Sequence, residues 1–174
     1  VNAVVPVRLA VVGSTSLPGE LAEACASTLV HLACTQFRRE IETDEGYVVS
    51  GGAEGVDTVA RSRAATFGWT VENRKFVEHL PKNRRWEPDG FKARDKLIAQ
   101  DRTHLLRVYR PDSKTYGSGW TADRAEALGK VVRRYVWDAA VGRFVKAERV
   151  AGGERCAARR VKSKSSPAPA PARP

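Results

Sequence analysis

An apolar run that ends in two glycines and passes straight into a helical pattern sets the tightest limit on how this chain can fold. Tyr47-Val48-Val49 leads into Ser50-Gly51-Gly52-Ala53-Glu54-Gly55-Val56-Asp57, and apolar residues then recur at helical spacing (Val56, Val59, Ala60, Ala64, Phe67). This order predicts a strand, a tight glycine turn and a helix N-terminus. Glycines admit φ > 0 and place no Cβ between backbone amides and a ligand. The unpaired N–H groups and the positive end of the helix dipole favour an anion there, most often a phosphate. Val11-Val12-Gly13-Ser14-Thr15 and Gly117-Ser118-Gly119-Trp120-Thr121 take the same form. Three such turns in a chain of 174 residues point to a nucleotide-type pocket.

The rest of the chain alternates in the same way. Val7 to Val12 predicts the first, central strand. Apolar positions from about Glu20 to Glu42 (Leu21, Ala24, Cys25, Leu29, Leu32, Ala33, Phe37, Ile41) predict a helix, with Pro18 near its first turn. Tyr47 to Ser50 is the second strand, and Gly55 to Phe67 a helix stopped by Gly68. A third strand begins at Trp69 to Val71, a helix covers about 90–100, and a strand runs from Thr103 to Tyr109. A last helix over about 121–128 and a strand from Val131 to Trp137 follow, and Asp138 to Val150 reads as a hairpin turning near Ala140-Val141-Gly142. Alternating strands and helices imply crossovers. The expected fold is α/β and Rossmann-like: a mostly parallel sheet with helices on both faces, plus a C-terminal hairpin.

Charge separates the two ends of the chain. Residues 151–174 carry six Lys or Arg against one Glu, a net +5 out of the total +10. This stretch has no hydrophobic periodicity and finishes in Ser-Ser-Pro-Ala-Pro-Ala-Pro-Ala-Arg-Pro, so residues 1–150 read as the folded domain and 151–174 as a disordered basic tail. The tail is either solubilising or a weak polyanion contact through Arg159, Arg160, Lys162 and Lys164. Cys25, Cys34 and Cys156 form neither a CxxC pair nor an even framework, and with only three histidines no zinc site is expected. Reduced thiols suggest a cytoplasmic protein. No segment approaches 18 apolar residues and no signal-peptide pattern opens the chain, so no membrane association is expected. Between Asn73 and Asp89 lies a long irregular stretch with Arg74, Lys75, Lys82, Arg84 and Arg85 interleaved with Phe76, His79 and Trp86. It is either a solvated loop or a binding loop for an anion.

The stretch Val48 to Trp69 resembles the second strand–turn–helix unit of the SLOG superfamily, and most nearly its YspA-type branch. The same superfamily includes DNA-processing protein A and the Lonely Guy phosphoribohydrolases. In the YspA-type branch the glycine turn is followed by a Trp, a Gly, an Arg-Asn pair and an acid. This chain has Trp86, Gly90, Arg94-Asp95 and Asp101 in that order, and then Ser118-Gly119-Trp120-Thr121. The similarity covers about residues 7–137. Thr15 stands where the family often has Arg, and Asp95 where it usually has Asn, so base and sugar specificity do not carry over. Self-association is common in the superfamily, which implies a homodimer.

The candidate ligand-binding residues are Gly13, Ser14, Thr15, Ser50, Gly51, Gly52, Ala53, Asp57, Arg94, Asp95, Ser118, Gly119 and Thr121. Gly51 and Gly52 either expose amides to phosphate or only form a tight turn. Asp57 either complements the helix dipole or bonds a ribose hydroxyl or the facing loop. Arg94 suits bidentate phosphate contact, with a salt bridge to Asp95, Asp101 or Glu87 as the alternative. Thr121 reads as a helix N-cap whose hydroxyl could instead meet phosphate. Ser14 and Thr15 lie at the carboxyl end of the first strand, where open α/β sheets bind ligands.

These features favour binding of a nucleotide or nucleotide-derived ligand, as a sensor or a sequestering protein, with no cofactor and no assigned catalytic residue. One alternative is a phosphoribohydrolase acting on nucleoside monophosphates. In the Lonely Guy pattern GGxGTxxE, the Glu falls three residues after Thr, which here is Arg124; Asp123 and Glu126 flank that position but point elsewhere on a helix. The other alternative is single-stranded nucleic-acid binding through the basic loop and tail.

Overall fold

The computed structural model describes residues 3–113, 117–150 and 153–156. Seven strands form one sheet in the order β3-β2-β1-β4-β5-β6-β7. The strands are β1 (Arg8–Gly13), β2 (Tyr47–Ser50), β3 (Phe76–Glu78), β4 (His104–Tyr109), β5 (Val131–Asp138), β6 (Arg143–Val150) and β7 (Gly153–Cys156). The first five in the sheet are parallel, and β6 and β7 join antiparallel. The chain is therefore Rossmann-like α/β.

Because β1 lies between β2 and β4 with helices on both faces, its run of apolar residues is buried throughout, as parallel strands in such sheets require. Leu9 and Val11 pack with Val30, Val56, Ala60 and Trp69 on the side of α1 (Glu20–Gln36) and α3 (Val56–Thr66). Ala10 and Val12 turn to the other side, against Ile98, Ala122 and Ala125 of α4 (Phe91–Gln100) and α5 (Gly117–Ala127).

The structure departs from the sequence reading in four places. The helix expected over Glu20 to Glu42 is broken at Phe37, where α1 stops and a short α2 (Arg38–Ile41) begins. The bend buries Ile41 fully and sets the Glu40 carbonyl to accept the Val7 amide at 3.3 Å. The strand expected at Trp69 to Val71 is a turn instead. Asn73 satisfies this backbone from its side chain: Oδ1 accepts the amides of Thr70 (2.9 Å) and Lys75 (3.1 Å), and Nδ2 donates to the Gly68 carbonyl at 2.7 Å. Trp69 enters the core from this turn by stacking on Phe67 at 4.6 Å, while Phe76 supplies the buried residue of the true strand. β3 thus falls inside the stretch expected to be irregular.

The helix expected from Thr121 begins four residues earlier, at Gly117, so the third glycine turn is a first helical turn. Finally, β7 extends the sheet beyond the boundary placed at residue 150, pairing Ala147 with Cys156. Residues 157–174, most of the expected tail, lie outside the described residues. The hairpin forms as expected from β5 and β6, with Gly142 at φ 63° in the turn between them. Among the described residues no helix is long and apolar enough to cross a membrane.

Candidate functional site

The sheet order changes direction at β1: the chain first builds outward through β2 and β3, then crosses to β4 on the opposite flank. Loops leaving neighbouring strands in opposite senses open a crevice at the carboxyl ends of those strands. A cavity of about 560 Å³ lies there.

The glycine junctions hold this crevice together. A Cβ on Gly13 would collide with the Val108 carbonyl and come within 2.6 Å of Val56 Cγ2, so only glycine lets β1, β4 and α3 meet this closely. Ser14 fastens the junction: its amide donates to Val108 O at 3.2 Å, its carbonyl accepts the Val56 amide at 3.1 Å, and its hydroxyl accepts the Arg110 amide at 3.0 Å. Gly13 and Thr15 line the cavity; Ser14 is buried behind it.

In the second turn, Gly51 and Ala53 face the cavity. Asp57, in the first turn of α3, folds back so that Oδ2 accepts the Ala53 amide at 3.1 Å. Burial pushes the Asp57 carboxyl up to about 6. The Ala53 amide, the Arg94 charge and the nearby Ser50 hydroxyl oppose that rise, and the Asp95 charge adds to it. Gly52 needs its positive φ of 66°, but its side-chain direction points to Leu80, away from the cavity. Ser50 is fully buried beneath the turn.

The opposite wall comes from α4, which brings Phe91, Arg94, Asp95 and Ile98 to one face at helical spacing. Arg94 spends much of its fork locally. Its Nε and Nη2 donate to Asp95 Oδ1, each at 2.7 Å, and Nη1 reaches the Gly51 carbonyl at 3.4 Å. The guanidinium also lies 5.0 Å from the centre of the Phe91 ring. Of the two readings of Arg94, the salt bridge to Asp95 forms, and the side chain also borders the cavity. Burial raises the Asp95 carboxyl, against the pull of Arg94 and Thr121.

The first turn of α5 closes the site with Gly117, Ser118, Trp120 and Thr121. Thr121 is not an N-cap; it lies inside the helix and its hydroxyl donates to the Gly117 carbonyl at 2.9 Å. The Ser118 hydroxyl accepts from Arg107 Nε at 3.3 Å. Gly119 is buried within the turn and does not line the cavity. Trp120 meets Trp86 edge to face, with centroids 5.6 Å apart and an interplanar angle of 85°. With Phe91, Ile98 and Val12 they make most of the lining apolar, leaving a few polar groups to orient a ligand.

Of the thirteen candidate residues, nine line this one cavity: Gly13, Thr15, Gly51, Ala53, Asp57, Arg94, Asp95, Ser118 and Thr121. Val12, Trp86, Phe91, Ile98, Gly117 and Trp120 join them without having been named as contacts. Phe91 and Ile98 carried a usable signal, since they share a helical face with Arg94. No family model matches the sequence, and no curated protein matches it.

The other acids and bases lie elsewhere. Asp123 and Glu126 hold Arg134 at 3.1 and 3.0 Å, and Arg124 is exposed on α5 outside the cavity. Asp101 accepts the Tyr47 hydroxyl at 2.5 Å and meets His79 Nε2 at 3.2 Å. In the basic loop Phe76 is core, His79 is held by Asp101, and Lys75 donates to the carbonyls of Ile41, Thr43 and Gly46, while Trp86 reaches the cavity. Lys82, Arg84 and Arg85 remain exposed.

Proposed function

We propose that this chain binds a nucleotide or nucleotide-derived ligand in the cavity at the carboxyl edge of its sheet. The observation that carries the reading is the convergence there of three separate glycine-bearing segments, an arginine and two tryptophans. The volume suits a small organic ligand of this class. The tryptophan edge and Phe91 offer a base apolar surface for stacking, worth about 1–3 kcal/mol per base. The positive end of α5 and the Arg94 N–H groups left over from Asp95 and Gly51 offer a phosphate its partners. The resemblance to the SLOG superfamily supports the same reading, with Trp86 and Arg94 of the resembling series at the cavity and Asp101 away from it.

A second reading, hydrolysis of the N-glycosidic bond of a nucleoside monophosphate, draws support from one feature: two buried carboxylates, Asp57 and Asp95, border the cavity. A carboxyl raised to about 6 is suited to proton transfer near neutral pH. Binding remains the favoured function, because Arg124, at the position of the hydrolase acid, is outside the site. Incubation with ribonucleoside monophosphates, followed by calorimetry for binding and chromatography for free base, separates the two. Binding without base release is expected; base release that disappears in Asp57→Asn replaces binding by catalysis.

A further inference from the structure

β4 carries a charged residue where its place in the sheet calls for an apolar one. The strand lies between β1 and β5, and on the side of α4 and α5 it presents Leu105, Arg107 and Tyr109 in alternation. Arg107 is only 3% exposed. A buried charge is costly, and arginine is among the residues least often found fully buried. Its guanidinium lies over the Tyr109 ring, 3.8 Å from the centre, and its Nε donates to Ser118 Oγ at 3.3 Å. The buried cation thus reaches the first turn of α5 from behind.

The consequence falls on the Ser118 hydroxyl. Ser118 lines the cavity. A guanidinium only donates, so the serine oxygen is the acceptor of this pair and its own proton is left for another partner. Thr121, three residues on, gives its proton to the Gly117 carbonyl four positions back. Ser118 is the second residue of α5, so no carbonyl of that helix lies four positions before it. Among the described residues its hydroxyl makes no other hydrogen bond. A hydroxyl that accepts from a cation is a stronger donor in turn, and this one stands at the positive end of a helix. Both features suit an anionic oxygen.

We propose, resting on the nucleotide reading, that Arg107 is a positioning residue for the phosphate of the ligand: by occupying a lone pair of Ser118 Oγ it directs the serine proton to a phosphate oxygen in the cavity. Arg107 itself does not line the cavity and acts only through Ser118.

The test is calorimetry on the full chain with the tightest-binding of AMP, GMP, CMP and UMP and with the matching nucleoside. Ser118→Ala should weaken the monophosphate roughly ten- to a hundredfold, the scale of a hydrogen bond to a charged group, and the nucleoside by less than about threefold. In Arg107→Met, which removes every N–H, the further cost of Ser118→Ala on the monophosphate should shrink to within about threefold. Arg107→Gln places an amide nitrogen at the chain position of Nε without the charge, and there Ser118→Ala should again weaken the monophosphate by at least about fivefold. If Arg107→Met does not fold, Arg107→Gln is read alone, and a Ser118→Ala cost that vanishes with the charge overturns the positioning role. The proposal is also overturned if Ser118→Ala weakens monophosphate and nucleoside alike, or if its cost is the same in Arg107→Met as in the wild type. Failure of every monophosphate to bind the wild type refutes the nucleotide reading itself, and this assignment with it.

Discussion

Replacing Asp57 by Asn should make the protein more stable, and increasingly so as pH rises. The Asp57 carboxyl is 7% exposed and sits at about 6 in the fold, against an ordinary value of 3.8. The folded state therefore holds this proton more tightly than the unfolded chain does. Stability from this group is fully present below about pH 4 and is lost as pH climbs to about 6, after which the loss is constant. A shift of about two units corresponds to about 3 kcal/mol at pH 7. Asparagine is neutral at every pH, and its oxygen can still accept the Ala53 amide. Urea unfolding of both proteins from pH 4 to 8 isolates the effect, because the other titrating groups cancel in the difference. The stability difference should move in favour of Asp57→Asn by about 3 kcal/mol between pH 4 and 7 and then level off. A difference that stays flat across this range, or that favours the wild type more at high pH, would refute the reasoning that burial dominates this carboxylate.

The two adjacent glycines should behave differently. In Gly51→Val the new side chain begins 3.0 Å from Asp57 Oδ2 and 3.2 Å from Arg94, so nucleotide affinity in calorimetry should fall by at least tenfold. Gly52→Val is strained at φ 66° and crowds Leu80, so it should lower unfolding stability by about 1–3 kcal/mol while weakening binding less than Gly51→Val does. Arg94→Lys should weaken phosphate-bearing ligands more than the matching nucleosides, since an ammonium cannot reproduce the fork, and calorimetry on both ligands checks it. Trp86 is 49% exposed at the cavity rim, so Trp86→Ala should reduce nucleotide affinity by about 1–3 kcal/mol with little change in melting temperature.

How far the chain can be read without its structure follows from where each signal resides. The apolar runs of β1 and β2 were legible because a doubly covered strand must be continuous in hydrophobicity. Trp69 and Val71 misled for the same reason: Trp69 is apolar because it plugs the core from a turn, and the side chain of Asn73 satisfies the backbone that a strand would otherwise have paired. Gly117 to Thr121 looked like a turn because two glycines sit close together, whereas both lie inside the first turn of α5, where a Cβ on Gly117 would come within 3.2 Å of Asp95 Oδ2. At the site, the residues named from local turn chemistry were largely the ones that meet. What could not be read was partnership across the chain: Arg94 with the Gly51 carbonyl, or Trp86 with Trp120, depends on how α4 and α5 pack, which no local pattern encodes.

Native mass spectrometry of the purified chain, before and after addition of ribonucleotides, tests the nucleotide-binding reading most directly. The expected spectrum shows one nucleotide retained per chain, and that adduct disappears in Gly51→Val while the variant stays folded. A wild-type chain that shows only its bare mass, with no adduct on addition of any ribonucleoside mono-, di- or triphosphate, would contradict it.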